Sequence, residues 1–253
     1  VIDIYYLGRN YLIKKDKGSN PYEFRKLQWD TDFFGVNCAK ATLHKNLTSS
    51  EWEELKTKFK GYQFISIENS NSEPVNAQAI GRDTPAFLAD VNIQFKKKID
   101  NVKKITKNIK LYQSMERNDE VLSMAEFNFS KFIEDPELAK RNGNQVYRQW
   151  LISSFEKPDK FYALSENENG EIDGFLLYSY EGSSCIVELI VATATKSGIG
   201  TSLFKAVEKE AYKRNYDEIR VGTQMRNMRA INFYHKMGCK QVGCHQVYHL
   251  WDL

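Results

Sequence analysis

Along the chain the apolar positions change period several times. From Cys185 to Val191 the residues are almost continuously apolar (Cys-Ile-Val-Glu-Leu-Ile-Val), which predicts a buried strand. Thr195-Lys196-Ser197-Gly198-Ile199-Gly200 follows, and then an amphipathic helical pattern. Glu218 to Thr223 reads as a further strand, and Asn227 to Lys236 as a helix stopped by Gly238. Upstream, Leu111-Tyr112, Phe161 to Ser165 and Ile172 to Tyr180 are strands, the last two joined by a turn at Asn167 to Gly170. Asn118 or Asp119 caps a helix to about Phe127, and Pro136 opens another that carries Tyr147 and Trp150.

The first part of the chain mixes the two periods differently. Phe24 to Leu43 predicts a strand, a turn around Thr31-Asp32 and a second strand. Thr48-Ser49-Ser50 supplies an N-cap, with Glu53 at capping-box distance from Ser50, for a helix through Phe59 that ends at Gly61. Tyr62 to Ile67 is a strand, Glu68 to Pro74 a polar loop, and Ala89 to Phe95 alternates as an edge or half-buried strand. The segment 68–84 is the least legible. Val1 to Asn20 is a strand pair or a loosely tied terminus. The basic stretch from Lys96 to Lys107 reads as a solvated connector, dividing an N-terminal domain at 1–106 from a C-terminal domain at 107–253. The fold class expected is α/β (α+β): a mixed sheet with flanking helices, preceded by a smaller α+β domain.

Charge excludes more than it selects. The chain has 253 residues and a formal net charge of +3, too small for a dedicated nucleic-acid binder. The first 106 residues carry 17 Lys and Arg against 13 Asp and Glu, the remainder 19 against 20. The lysine run accounts for the difference. No apolar stretch approaches a membrane span, no leader pattern opens the chain, and the four cysteines are scattered, so a cytoplasmic protein with free thiols is expected. Cys239 and Cys244 with His235, His245 and His249 match no usual zinc spacing, so no metal is expected.

The chemistry sits where the continuous strand meets the glycines. A glycine-punctuated turn at a helix N-terminus presents unpaired N–H groups and a positive dipole end, which suits a diphosphate. Two glycines alone are weak evidence, but the order strand, Gly-x-Gly loop, helix, strand, then an Asn-led helix ending in Tyr and Gly resembles the acyl-CoA-binding half of the GNAT superfamily of N-acetyltransferases. Within it, Arg220 to Asn227 and Leu27 to Asn37 look like blocks of the dTDP-fucosamine (dTDP-4-amino-4,6-dideoxygalactose) acetyltransferases. Tyr147 to Trp150, Phe129 to Phe132 and the closing Tyr248 to Trp251 extend the likeness over most of the chain.

The resemblance implies acetyl-CoA as acyl donor, with the diphosphate held by the backbone of Lys196, Ser197, Gly198, Ile199, Gly200 and Thr201. Leu189, Ile190, Val191 and Asn227 would contact the pantetheine arm, and Tyr234 would protonate the departing thiolate. A phenol with a pKa near 10 is protonated at neutral pH, so the proton is available. Taken alone, Tyr234 would be a core residue and Asn227 a helix cap. Thr195 stands where the family usually has Arg or Gln, which removes positive charge from the loop. Glu188 is the one carboxylate beside the strand that could orient a water as base; a salt-bridge partner is the other reading. Trp29, Asp30, Phe33, Phe34 and Asn37, with Tyr147 and Arg148, are the acceptor residues by resemblance, and each also has a packing or surface role open to it. Lys131 could also meet a diphosphate. The N-terminal domain would be a reduced copy of the fold contributing to the acceptor site. The implied reaction is direct transfer of acetyl, in a ternary complex, to the amine of a nucleotide-linked amino-deoxysugar. Another amine (antibiotic, peptide or aminoacyl acceptor), a silent fold that only binds CoA or a partner, and a homodimer all stay open.

Overall fold

The computed structural model describes residues 20–100, 108–127, 129–193 and 198–252. Lys196, Ser197 and the altered Thr195 lie outside them, as do Lys103, Lys104 and nearly all of the opening Val1 to Asn20. The described residues form two compact units, one within 94–130 and 145–242 and one within 20–93, 131–144 and 243–252.

In the first unit, β5 (Ile109–Gln113), β6 (Phe161–Glu166), β7 (Ile172–Glu181) and β8 (Ser184–Ala192) form an antiparallel run. The strand β9 (Glu218–Gln224) lies parallel to β8. The helices are α4 (Asp119–Ser123), α7 (Val146–Ser154), α8 (Ile199–Lys213) and α9 (Met228–Lys236). Every residue of β8 is buried, as its run of apolar residues on both sides of Glu188 requires.

The second unit pairs β1 (Tyr22–Lys26) antiparallel with β2 (Cys38–Leu43), β2 parallel with β3 (Phe64–Asn69), and β3 antiparallel with β10 (Lys240–Trp251). Its helices are α1 (Gln28–Phe34), α2 (Ser49–Thr57), α3 (Pro74–Asp83), α5 (Lys131–Glu134) and α6 (Pro136–Lys140). Ala39, Ala41, Leu43, Ile65, Ile67 and Tyr248 pack with Trp52, Leu55 and Ile80 in one core. The strand β4 (Phe87–Lys98) passes from the second unit into the first.

Five local expectations change. The turn at Thr31-Asp32 is the helix α1, closed by Gly35 at φ 68 and tied by the Thr31 hydroxyl to the Leu27 carbonyl at 2.8 Å. Its Trp29 and Phe33 rings, four residues apart, stack at 5.0 Å. Of the three candidates Thr48, Ser49 and Ser50, the cap of α2 is Thr48, and its capping box closes on Glu51, two residues earlier than the Ser50 and Glu53 pair. Thr48 has the extended backbone a cap needs, whereas Ser49 and Ser50 are already helical. Within 68–84, the polar composition hides the end of β3, a 3₁₀ turn at Ser70–Ser72 and then α3, which starts with Pro74 at its first position. The helix opened by Pro136 does not reach Tyr147. It stops as α6 at Lys140, where Arg141 leaves the helical backbone and Asn142 takes the left-handed φ of 63. Finally, Lys96 to Lys98 extend β4, with Lys96 and Lys98 exposed; Lys96 pairs with Glu218, and Lys97 with Glu208 at 2.5 Å.

Candidate active site

The first unit departs from regular pairing where β8 meets β9. Their ladder has three rungs, Ser184 to Glu218, Cys185 to Ile219 and Ile186 to Arg220, and stops there although both strands continue. On the other side, β8 stays paired with β7 as far as Ala192. Leu189, Ile190 and Val191 therefore keep β7 but have no rung to β9, and backbone groups on that side are available to another partner. A register shift falls between Leu177 and Tyr178, which face Leu189 and Val187, so Glu188 is the extra residue of a bulge.

Gly198, at φ 82, is the N-cap of α8, and Ile199, Gly200 and Thr201 form its first turn. Sequence reasoning did not single out Gly174 on β7. A Cβ there would lie 2.5 Å from Ile199 Cγ2 and 2.9 Å from the Val191 carbonyl oxygen, so the glycine lets the start of α8 approach the sheet. Its only sequence signal is an isolated glycine inside a strand pattern.

Beyond β9, Asn227 caps α9 by accepting from the Ala230 N–H at 3.0 Å. Tyr234 is fully buried against Phe95, Phe204 and Phe233, and its hydroxyl has no partner among the described residues. Burial, with Cys239 nearby, pushes the phenol well above its usual 10, so it stays protonated. Thr223 Oγ1 and Gln224 Oε1, at the end of β9, are likewise buried without a partner. Nothing in the sequence marks them.

Glu188 is held. Its Oε1 accepts from Lys160 Nζ and from the Ser179 hydroxyl, while Oε2 is buried with no partner among the described residues. Tyr147 is buried on Phe127 at 4.7 Å, and Arg148 donates to the Leu122 carbonyl at 3.1 Å.

The remaining acceptor candidates lie in the second unit. Trp29 is 40% exposed, and Phe34 is buried and stacked on Phe132. Burial pushes the Asp30 carboxyl up, with Lys131 the largest opposing influence. Asn37 is built into a turn: its backbone N–H donates to Gln63 Oε1 at 2.8 Å and its amide to the Gly61 carbonyl at 3.3 Å.

The profile of the Acetyltransferase (GNAT) family matches residues 110–239, just over half of the chain. The chain belongs to the GNAT acetyltransferase family. The match begins in β5 and ends just past α9, and takes in the parted strands, the Gly198 turn and Tyr234. The spore coat polysaccharide biosynthesis protein SpsD of Bacillus subtilis is 24% identical over 132 residues, 51% of this chain and 45% of its own length. The chain spans between 45% and 62% of the length of the curated relatives it matches. A functionally unknown conserved protein from Staphylococcus epidermidis has a similar fold (TM-score 0.60, 14% identity, 96% of both chains). So does a GCN5-related N-acetyltransferase from Sphaerobacter thermophilus (TM-score 0.57, 10% identity, 92% of this chain and 78% of that one). Among the described residues no group of His, Cys, Asp and Glu could hold a metal ion, and no helix is long and apolar enough to cross a membrane.

Proposed function

We propose that the chain is an acetyl-CoA-dependent N-acetyltransferase acting on the amine of a nucleotide-linked amino-deoxysugar. The observation that carries this is the Tyr234 hydroxyl, a protonated donor buried without a partner inside the segment that matches the family. A polar group in that state costs free energy unless a ligand meets it.

The residues present fit the donor. Acetyl-CoA supplies an activated thioester. The N–H groups at the start of α8, reached through Gly198, suit its diphosphate, with Lys196 and Ser197 ahead of them in the sequence. The unpaired side of β8 at Leu189 to Val191 suits the pantetheine amides and a thioester oxygen, and Asn227 stands at the head of α9. Tyr234 Oη gives its proton to the sulfur as the thioester breaks. Glu188 Oε2, the oxygen left open by Lys160 and Ser179, orients the water that takes the amine proton. The amine attacks directly, with no covalent enzyme intermediate. The similarity to SpsD, a spore coat polysaccharide biosynthesis protein, supports a sugar acceptor, and Trp29, Asp30 and Phe33 are its proposed recognition residues.

The test is release of CoA from acetyl-CoA with dTDP-4-amino-4,6-dideoxygalactose, for the wild type and Tyr234→Phe. Turnover that falls about a hundredfold in the variant is the expected result. Turnover unchanged by Tyr234→Phe removes the proton-donor role. Acetyl-CoA binding without turnover points to another amine, and no binding of acetyl-CoA points to a silent fold.

A further inference from the structure

The second unit carries a polar row on the sheet face opposite its core. Lys40 on β2 pairs with Ser66 on β3, and Ser66 with His249 on β10. Side chains alternate along strands, and the flanking Ala39, Ala41, Ile65, Ile67 and Tyr248 point into the core, so these three stand together on the other face. Glu68, two residues along the same face, accepts from Lys40 Nζ at 2.8 Å.

His249 is the most constrained member. Its Nδ1 lies 2.7 Å from Asp135 Oδ2, which also accepts from Trp251 Nε1 at 2.9 Å. Asp135 Oδ1 takes the N–H groups of Glu137 and Leu138 at the start of α6, so the carboxylate cannot turn. Burial pushes His249 down to about 4, leaving a neutral ring. The ring proton sits on Nδ1, toward the carboxylate, and Nε2 is a bare acceptor. That Nε2 is buried with no partner among the described residues. Phe64 meets the ring edge-on at 4.9 Å and Phe87 at 5.8 Å; Phe87 is itself 41% exposed. An apolar side chain would fill the same place without stranding an acceptor, so the imidazole is explained by a donor that comes from outside.

We propose that this face of the second unit is a sugar-binding site, in which a hydroxyl or amino N–H of the ligand donates to His249 Nε2. The mixed chemistry of the face selects that class of ligand. A neutral acceptor, a lysine and a carboxylate together match a molecule bearing many hydroxyl groups, and the exposed Phe87 ring offers a surface for its C–H face. Asp135 is a positioning residue that fixes the tautomer. The inference rests on the amino-sugar reading above and locates that ligand within one unit.

The experiment is long-range ¹H–¹⁵N correlation on the full chain labelled with ¹⁵N-histidine, with His44, His235 and His245 replaced singly by Asn for assignment. The probe is dTDP-4-amino-4,6-dideoxygalactose, and the wild-type spectrum requires no variant at position 249 to fold. The expected result is a bare Nε2 in the free protein that shifts with saturable sugar addition but not with acetyl-CoA. His249→Phe then weakens sugar binding about tenfold or more while acetyl-CoA binding is unchanged. In Asp135→Asn, loss of the carboxylate moves the ring proton toward Nε2 and weakens the sugar, a tautomer change that a purely structural role would not produce. An Nε2 signal unmoved by sugar that is nevertheless acetylated overturns this site and leaves the enzyme assignment standing. An Nε2 shift without turnover supports the site and removes this sugar as the amine that is acetylated. No binding of the sugar at all overturns both.

Discussion

Ile186 and Arg220 form the last rung between β8 and β9, and beyond them the two strands part while β8 remains paired with β7. One strand thus serves as a structural member on one edge and as a row of open backbone donors and acceptors on the other. The Gly198 turn follows the end of β8, and the Asn227 cap follows the end of β9, so the opening lies between the two helix starts that the sequence marks.

Tyr234→Phe separates catalysis from packing. The hydroxyl has no partner among the described residues, so its loss strands none of them and the ring contacts with Phe95, Phe204 and Phe233 persist. The melting temperature is expected to hold or rise while CoA release drops about a hundredfold. A lower melting temperature alongside the drop would mean the hydroxyl has a structural partner.

Gly174→Ala places a methyl 2.5 Å from Ile199 Cγ2 and 2.9 Å from the Val191 carbonyl oxygen. Both belong to the cofactor candidates, so one change tests stability and binding together. Urea unfolding should show a loss of about 1–3 kcal/mol, and calorimetric titration should show weaker acetyl-CoA binding. Stability loss with unchanged affinity would separate α8 placement from the cofactor.

Lys160→Met leaves the Glu188 carboxylate buried without its cation. Breaking a buried pair by removing one partner costs about 3–5 kcal/mol. The double variant Lys160→Met with Glu188→Gln should recover most of that in urea unfolding, since no charge is then stranded. Additive losses would show that the two side chains do not act as a pair.

His249 and His245 are both pushed down to about 4, chiefly by burial. An unfolded chain takes up these protons below about 6.5, the folded one only near 4, so each group's contribution is lost as pH falls through that window. For His249 the difference amounts to about 3 kcal/mol. Between pH 7 and pH 4 the denaturation midpoint of the wild type should fall further than that of His249→Phe; parallel curves would contradict the depressed pKa.

What the sequence alone determined is the local order of the acetyltransferase half. The mostly apolar run of β8, Gly198 before α8, Asn227 at the head of α9 and Gly238 after it are each set by neighbours a few residues away, through burial, capping and positive φ. Tertiary structure decided what depends on distant partners. The parting after Ile186, the bulge that presents Glu188 to Lys160, the close approach of Gly143 to Phe132, and the closeness of Gly174 to Ile199 arise where two segments meet, and no periodicity records them. The same holds for Asp135 and His249, 114 residues apart and 2.7 Å from contact atom to contact atom. A strand pattern can place His249 on a sheet face, but only the carboxylate that α6 brings to it settles which ring nitrogen keeps the proton and which is left to accept one.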